Sequence, residues 1–123
     1  MIELISDLGG GKTSFVRGLA QGMGSDDSVH SPSFTLSNEY VGGKLTLHHL
    51  DFYRLQEPGI MREELAEMLC DLKAVVVVEW ADIVENVLPI NRLRIRIKAT
   101  GDTSREFTLI YPESLDYLIY KET

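Results

Sequence analysis

The sequence predicts an α/β protein in which helices cover both faces of a mixed, mainly parallel sheet. A short apolar run, Ile2–Ile5, leads into a glycine-rich turn and then into a helical pattern. The uninterrupted apolar run Ala74–Val78 is typical of a strand that is buried on both faces, as in a parallel sheet between two layers of helices. Elsewhere polar and apolar residues alternate, which is typical of strands with one buried face.

Length and composition fit one globular domain over residues 1–123, with 44% hydrophobic and 25% charged residues. The net charge of −7 leaves no basic surplus to neutralise phosphates, which argues against direct, non-specific nucleic-acid binding. The sequence has neither a signal-peptide pattern nor an apolar run of membrane-spanning length, so no membrane association is expected. The single cysteine, Cys70, cannot form an internal disulfide, and a cytoplasmic location is therefore expected.

Residues 6–13 predict a phosphate-binding loop of the pattern G-x-x-x-x-G-K-[ST], with Ser6 in place of the first glycine. Glycines let the backbone approach a ligand closely, and successive N–H groups then converge on phosphate oxygens at the start of the next helix. Lys12 is predicted to reach the β- and γ-phosphates, and Thr13 to place its hydroxyl on a Mg²⁺ ion. The alternative is a glycine-rich turn that binds nothing. The predicted nucleotide-binding residues of this stretch are Asp7, Leu8, Gly9, Gly10, Gly11, Lys12, Thr13 and Ser14.

The segment after the loop is predicted to be a helix that ends in the turn-rich stretch 22–27. Its apolar face is formed by Phe15, Val16, Leu19 and Ala20. An ordered loop around Pro32 follows, and in P-loop GTPases this connection carries a hydroxyl that senses Mg²⁺ and the γ-phosphate. Thr35 or Ser33 is placed to do so here. A hydroxyl-rich connector without a ligand is the equal alternative.

A β-hairpin is predicted for Leu36–Val41 and Lys44–Leu50, with Gly42 and Gly43 at the turn. Asp51 follows the second strand, and a carboxylate at this point in the fold order commonly holds the Mg²⁺ water shell. The three histidines of the chain show no metal-ligand spacing. The adjacent pair at 48 and 49 must point to opposite sides of the strand, so at least one of the two is expected to be a packed or surface residue.

Residues Met61–Leu72 are predicted to form an amphipathic helix, with Leu65, Met68, Leu69 and Leu72 on its apolar side. Cys70 falls within this pattern and is expected to be a small core residue. The valine-rich strand comes next and ends in Glu79 and Trp80. Ligands of open α/β sheets lie at the carboxyl ends of the strands. Glu79 is therefore placed to touch Mg²⁺ or to orient an attacking water, or else it only caps the next turn. Trp80 belongs either to the core or to a partner surface.

A second alternating pair of strands is predicted for Arg92–Lys98 and Arg105–Tyr111. The basic residues of the first strand are expected to form its outer face, with an anion or partner site as the alternative. Arg105 either reaches the nucleotide or is an ordinary charge at the strand edge. A last short helix is predicted after Pro112, with Leu115, Leu118 and Ile119 turned inward.

Five motifs occur in order along the chain and together resemble the bacterial TsaE (YjeE) family. They are Asp-Leu-Gly-x-Gly-Lys-Thr at 7–13, Ser-Pro-x-Phe-Thr-Leu at 31–36, Asn-Glu-Tyr at 38–40, His-x-Asp-x-Tyr-Arg-Leu at 49–55 and Val-Glu-Trp at 78–80. The resemblance covers nearly the whole chain. Ser6 departs from it, because the family has its first loop glycine there.

This resemblance implies a P-loop NTPase-like three-layer sandwich and an ATPase that serves in making threonylcarbamoyladenosine beside the tRNA anticodon. It implies TsaB and TsaD as partners, with TsaD performing the threonylcarbamoyl transfer and ATP hydrolysis resetting their complex, so that tRNA is met only indirectly. It implies ATP and Mg²⁺ at the positions of Lys12, Thr13, Thr35, Asp51 and Glu79, with Trp80 in the same functional set. It also implies an N-terminal helix and strand ahead of the loop, which adds to the sheet, helps enclose the adenine and is absent from this sequence.

Two other functions remain open at this point. A regulatory subunit would bind nucleotide without meaningful turnover. A small-molecule kinase would need a substrate domain or an arginine-bearing lid, for which the chain has little room. A GTPase is disfavoured because the sequence has no Asn-Lys-x-Asp motif to read guanine.

Overall fold

The computed structural model describes residues 1–6, 11–25, 37–52, 59–80 and 88–119. The strands in these ranges are β1 (Ile2–Ile5), β2 (Ser37–Val41), β3 (Thr46–Asp51), β4 (Ala74–Glu79), β5 (Leu93–Ala99) and β6 (Arg105–Ile110). The helices are α1 (Lys12–Gly22), α2 (Gly59–Cys70) and a short 3₁₀ helix, Glu113–Leu118. Neither α1 nor α2 is long and apolar enough to cross a membrane.

All six of these strands join one sheet, in the order β2-β3-β4-β1-β5-β6. The inner pairs β3–β4, β4–β1 and β1–β5 are parallel, whereas the outer pairs β2–β3 and β5–β6 are antiparallel hairpins. The sheet is therefore mixed but parallel at its centre, which confirms the predicted fold class. As a result, the carboxyl ends of β1, β3 and β4 meet at the same edge, where β1 leads into the loop.

The side chains of β4 alternate between two separate cores. Val77 packs in a cluster with Val16 of α1, and Val78 packs in a second cluster with Leu65 of α2, each of them fully buried. The two helices therefore cover opposite faces of the sheet, as the valine run predicts. Burial of one such side chain contributes about 1.5–3 kcal/mol. The α1-side cluster comprises Leu4, Val16, Ala20, Tyr40, Leu47, Val77, Leu93, Ile95 and Ile97, and the α2-side cluster comprises Leu50, Phe52, Leu65, Val76, Val78 and Leu88.

The second hairpin confirms the predicted alternation in β5 but not in β6. Leu93, Ile95 and Ile97 are buried while Arg96 and Lys98 are exposed, so the expected basic outer face is confirmed for these two basic residues. Arg92 and Arg94 are only partly exposed, because both lie against the buried Glu3. Every residue of β6 is exposed. This strand lies at the end of the sheet, where it pairs with β5 alone, and its apolar side chains stay exposed.

Three predicted core residues are exposed. The helical pattern was extended too far at the end of α2, because the helix stops at Cys70 and Leu72 stands in the following turn with 97% of its surface exposed. Asp71 closes this turn by accepting a hydrogen bond from the backbone N–H of Lys73. Cys70 is exposed. Leu118 is half exposed, because the last element is a 3₁₀ helix whose side chains follow a different period, while Ile119 packs against the α1-side core.

Candidate functional site

The start of α1 is shaped by Gly11, whose φ of 101° lies in the left-handed region. Glycine adopts this conformation without the steric cost that a Cβ atom would add, which is why the motif places a glycine just before the lysine. The helix follows at once, since the N–H of Phe15 donates to the carbonyl of Gly11 at 3.1 Å. The N–H groups of the first turn therefore lie at the positive end of α1, where anions bind.

Lys12 is the first residue of α1 and is buried, with 8% of its surface exposed. Its Nζ donates to the carbonyl oxygen of Ser6 at 3.3 Å and lies 3.2 Å from Oε1 of Glu79. The ammonium also lies 5.1 Å from the centroid of the Trp80 ring, a distance at which cation–π attraction acts. The lysine predicted to meet phosphates is thus held at the carboxyl edge of the sheet by residues from β1 and β4.

Glu79 ends β4 and is 4% exposed. Its two oxygens have different partners, since Lys12 lies on Oε1 and Nε2 of His49 contacts Oε2. Burial alone raises the pKa of Glu79, but the hydrogen bond and charge of His49, together with those of Lys12, outweigh burial and hold the pKa below its ordinary value. The carboxylate is therefore ionised at neutral pH.

Asp51 stands beside Glu79, because the parallel register of β3 and β4 pairs these two residues directly. Neighbouring strands lie about 4.8 Å apart, so both carboxylates reach the same edge of the sheet. Among the described residues, no group of three or more His, Cys, Asp and Glu side chains is arranged to hold a metal. A Mg²⁺ ion commonly takes only one or two carboxylates and completes its shell with water and substrate phosphates. Thr13, Asp51 and Glu79 fit that smaller requirement.

A cavity of about 320 Å³ opens beside the start of α1. Phe15 and Phe107 meet on its wall with ring centroids 6.2 Å apart. Arg105 lies at its rim, where Nη1 donates to the carbonyl of Ser104 at 2.8 Å and to that of Gly101 at 3.1 Å. The residues lining the cavity are Gly11, Ser14, Phe15, Ile97, Asp102, Thr103, Arg105 and Phe107.

Comparison with known proteins points to one family. The family model described as threonylcarbamoyl adenosine biosynthesis protein TsaE matches residues 1–107. The chain belongs to the TsaE family. It is 42% identical over 109 residues to the tRNA threonylcarbamoyladenosine biosynthesis protein TsaE of Bacillus subtilis, covering 88% of this chain and 67% of that protein. It is 39% identical over 85 residues to the protein of the same name from Nostoc, covering 67% of this chain and 52% of that protein.

A solved structure gives the same result for the fold. The crystal structure of Bacillus subtilis YdiB superposes with a TM-score of 0.69 at 35% identity, covering 95% of this chain and 72% of that one. This likeness confirms the P-loop NTPase-like fold predicted from the sequence. The chain spans about half to two thirds of the length of the two curated TsaE relatives named above.

In this TsaE-family chain, part of the predicted site lies outside the described residues. The described part brings together Gly11, Lys12, Thr13, Asp51 and Glu79 at one edge of the sheet, and it places Ser14 and Arg105 at the neighbouring cavity. The predicted residues outside the described ranges are Asp7, Leu8, Gly9, Gly10 and Thr35, together with the alternative Ser33.

His49 is the residue that the sequence analysis missed. It is fully buried, and its ring joins the Lys12–Glu79 pair. A strand period of two places His49 and Asp51 on the same face of β3, and that spacing was the available signal. The period of two alone does not predict that this face of β3 meets Glu79, because the sequence does not give the register between β3 and β4.

Trp80 has a strained backbone. Its φ of 55° makes it the non-glycine residue with positive φ in the described part of the chain, and for a bulky side chain this conformation costs roughly 1–3 kcal/mol. It directly follows Glu79 and remains 37% exposed beside Lys12. Strain of this kind is concentrated at functional sites. Trp80 therefore lies beside Lys12 and Glu79 and not in the core, which was one of the two locations that the sequence left open.

Proposed function

We propose that this chain is a Mg²⁺-dependent ATP hydrolase subunit of the machinery that makes threonylcarbamoyladenosine in tRNA. The observation that carries the proposal is the meeting of Lys12 and Glu79, two oppositely charged buried side chains, beside the glycine turn that starts α1. A buried lysine at a helix start suits a phosphate chain, and a buried ionised carboxylate beside it suits the activation of water. Membership of the TsaE family supports the pathway.

The described residues fit a nucleotide. Lys12 and the first-turn N–H groups of α1 would hold the phosphates, because they carry the positive charge at this edge. The cavity of about 320 Å³ beside Gly11 and Ser14 is at the lower end of the size range of small-molecule sites. Its apolar side, formed by Phe15, Ile97 and Phe107, suits the flat face of adenine. Arg105, which lines the same cavity, would meet the sugar or the phosphates.

Thr13, Asp51 and Glu79 would hold Mg²⁺, directly or through its water shell. Their oxygen atoms are the ligand type that this ion prefers, and α1, β3 and β4 bring them to one edge. When bound there, Mg²⁺ would neutralise charge on the phosphates during transfer to water.

Two side chains would carry the reaction. Lys12 exchanges its partner Glu79 for phosphate oxygens, a move for which its long side chain is suited. Oε1 of Glu79 is released by this move and orients the attacking water, while the lowered pKa keeps the carboxylate ionised to do so. Glu79 is thereby available to orient water only when a nucleotide is bound, since Lys12 occupies Oε1 in its absence.

TsaB and TsaD are the proposed partners, and hydrolysis would reset their complex between turnovers in the cytoplasm. The net charge of −7 supports contact with tRNA only through that complex.

Calorimetric titration with Mg²⁺ and ATP tests the site. We expect binding by the wild-type chain and its loss in Lys12→Ala. Lys73→Ala is the matched control, because Lys73 is exposed in the turn after α2, and it should bind as the wild type does. Unchanged binding in Lys12→Ala would refute the proposed loop. Phosphate release in the presence of TsaB and TsaD is then measured on the same proteins.

A nucleotide-binding regulatory subunit is the second candidate. The Lys12–Glu79 contact favours it, because this ion pair engages both groups on which hydrolysis depends. Single-turnover hydrolysis that disappears in Glu79→Gln would exclude this candidate. Binding of ATP without any hydrolysis, with and without the partners, would establish it.

A further inference from the structure

The ring of His49 occupies the inner side of the Glu79 carboxylate. His49 lies in β3, the strand next to β4, and none of its surface is exposed. Its Nε2 contacts Oε2 of Glu79, and within the described part of the chain its Nδ1 has no hydrogen-bond partner. A carboxylate oxygen accepts hydrogen bonds, so Nε2 is the donor and Oε2 is the acceptor in this contact.

The two oxygens of Glu79 therefore differ in what holds them. Oε1 faces Lys12, whose flexible side chain reaches the site from the start of α1, next to the exposed Trp80 ring. Oε2 faces a short, fully buried ring on a central strand, which has no room to turn away. One oxygen has a partner that can leave, and the other has a partner that stays.

We propose that His49 is a positioning residue that holds Glu79 by Oε2 and so keeps Oε1 directed at the nucleotide edge. This inference rests on the proposed hydrolysis and adds to it the residue that fixes the orientation of the carboxylate. Without the Nε2 donor, the carboxylate rotates about its last bond and meets the water in the wrong geometry. Small misplacements of a catalytic group of this kind are costly to the rate.

The chemistry of the ring argues against simple space filling. A leucine fills a similar volume among the valines of β4 and carries no polar atom. Histidine leaves Nδ1 buried, and an unsatisfied buried nitrogen costs about 1–3 kcal/mol. The hydrogen bond that Nε2 donates to the carboxylate of Glu79 explains why a residue with that cost stands here.

Two substitutions at position 49 separate the effect of losing the N–H donor from the effect of changing the side-chain volume. His49→Gln keeps an N–H donor near the position of Nε2, whereas His49→Leu keeps the volume and removes the donor. His48→Leu is the matched control, because His48 is the adjacent residue on the opposite face of β3. In ATP hydrolysis with TsaB and TsaD, we expect His49→Leu to lower kcat by about 10- to 100-fold. KM for ATP should change little, and His49→Gln and His48→Leu should retain most of the kcat.

Each other outcome contradicts the positioning role. Equal kcat in all variants, a change in KM alone, or equal losses in His49→Leu and His49→Gln would overturn it while leaving the hydrolase proposal intact. A wild-type chain that binds ATP but never hydrolyses it would overturn the hydrolase proposal and this inference together. If His49→Leu fails to fold, His49→Asn replaces it, since its shorter amide is polar but does not reach Oε2. Retention of kcat in His49→Asn would then overturn the positioning role.

Discussion

Two buried glutamates lie on adjacent strands of the sheet and face opposite layers. Glu3 of β1 is 7% exposed and Glu79 of β4 is 4% exposed. Glu3 pairs in register with Val78, so it points toward the α2 layer, whereas Glu79 pairs with Leu4 and points toward α1. The two residues are therefore alike in type and in burial, but they differ in the face of the sheet they occupy and in their partners.

The partners of Glu3 are two arginines: Arg94 lies in the neighbouring strand β5, and Arg92 directly precedes that strand. Nε of Arg92 donates to Oε1 of Glu3 at 2.8 Å, and Nε of Arg94 lies 3.7 Å from the same oxygen. Arg92 is anchored a second time, since its Nη1 donates to the carbonyl of Pro89 at 3.0 Å. This arrangement ties β1 to the start of β5. Glu79 has instead a lysine and a histidine as partners, and it lies at the carboxyl edge of the sheet. The comparison sets an ion pair that joins two strands against the one for which we propose a part in hydrolysis.

The largest expected effect distinguishes the two glutamates in catalysis. Glu79→Gln keeps the shape of the side chain but removes the ionised oxygen, so kcat for ATP hydrolysis with TsaB and TsaD should fall by about 100- to 10,000-fold. Glu3→Gln, measured by the same phosphate-release assay at a temperature where both variants are folded, should hydrolyse ATP as the wild type does. Comparable losses in the two variants would remove the distinction between them.

The next effect distinguishes the two ion pairs in stability. Arg92→Ala leaves the Glu3 carboxylate buried without its nearest partner, and the free energy of unfolding should fall by about 3 kcal/mol in urea titrations. Lys12→Ala should cost less, because His49 remains on Glu79. Arg96→Ala is the control, since this exposed arginine of β5 should change stability by no more than about 0.5 kcal/mol. A larger cost for Lys12→Ala than for Arg92→Ala would contradict the comparison.

A smaller effect measures the backbone strain beside Glu79. Both Trp80→Gly and Trp80→Ala remove the ring, but only glycine accepts a φ of 55° without steric cost. The glycine variant should therefore be more stable than the alanine variant by about 1 kcal/mol in urea titrations. At Leu72, which is exposed and has no positive φ, the same pair should show no advantage for glycine. An alanine variant at 80 that is as stable as the glycine variant would contradict the strain.

The finest test uses the lowered pKa of Glu79. The folded state binds its proton less readily than the unfolded chain, so this group stabilises the fold above its ordinary pKa of 4.5. The stabilisation is lost as the pH falls through the lower pKa of the folded state. In urea titrations between neutral and acidic pH, the free energy of unfolding of the wild type should therefore fall more steeply with falling pH than that of Glu79→Gln, which lacks this group. Identical pH dependence in the two proteins would show that the pKa of Glu79 is not lowered by folding.

The arrangement of strands and helices follows closely from the sequence. The hydrophobic pattern of each element indicates which of its sides is buried. This pattern is a period of two in β2, β3 and β5, a helical face in α1 and a continuous valine run in β4. The sequence predicts the ends of helices and strands less accurately. Nothing in the apolar pattern marks Cys70 as the last residue of α2, so Leu72 was assigned to the core.

The sequence predicts only part of the candidate site, because some of its contacts depend on how separate segments pack. Lys12, Asp51 and Glu79 stand at strand or helix ends, and topology alone brings such ends together. The contact of His49 with Glu79 depends on the register between β3 and β4, and the left-handed backbone of Trp80 depends on how the chain leaves β4. Both are properties of packing between segments, which local patterns do not contain.

The central place of β1 has a consequence for the order of folding. Ile2 pairs with Val77 on one side and with Leu93 on the other, so β1 completes its ladders only after both of these distant later segments are present. Loops of this length make parallel pairing slow and expose apolar strands in the meantime. During synthesis on the ribosome, Ile2–Ile5 leaves the exit tunnel before β4 and β5 and must remain unpaired until both emerge. The rate of chain elongation thus limits how early the edge that carries Lys12 and Glu79 is assembled.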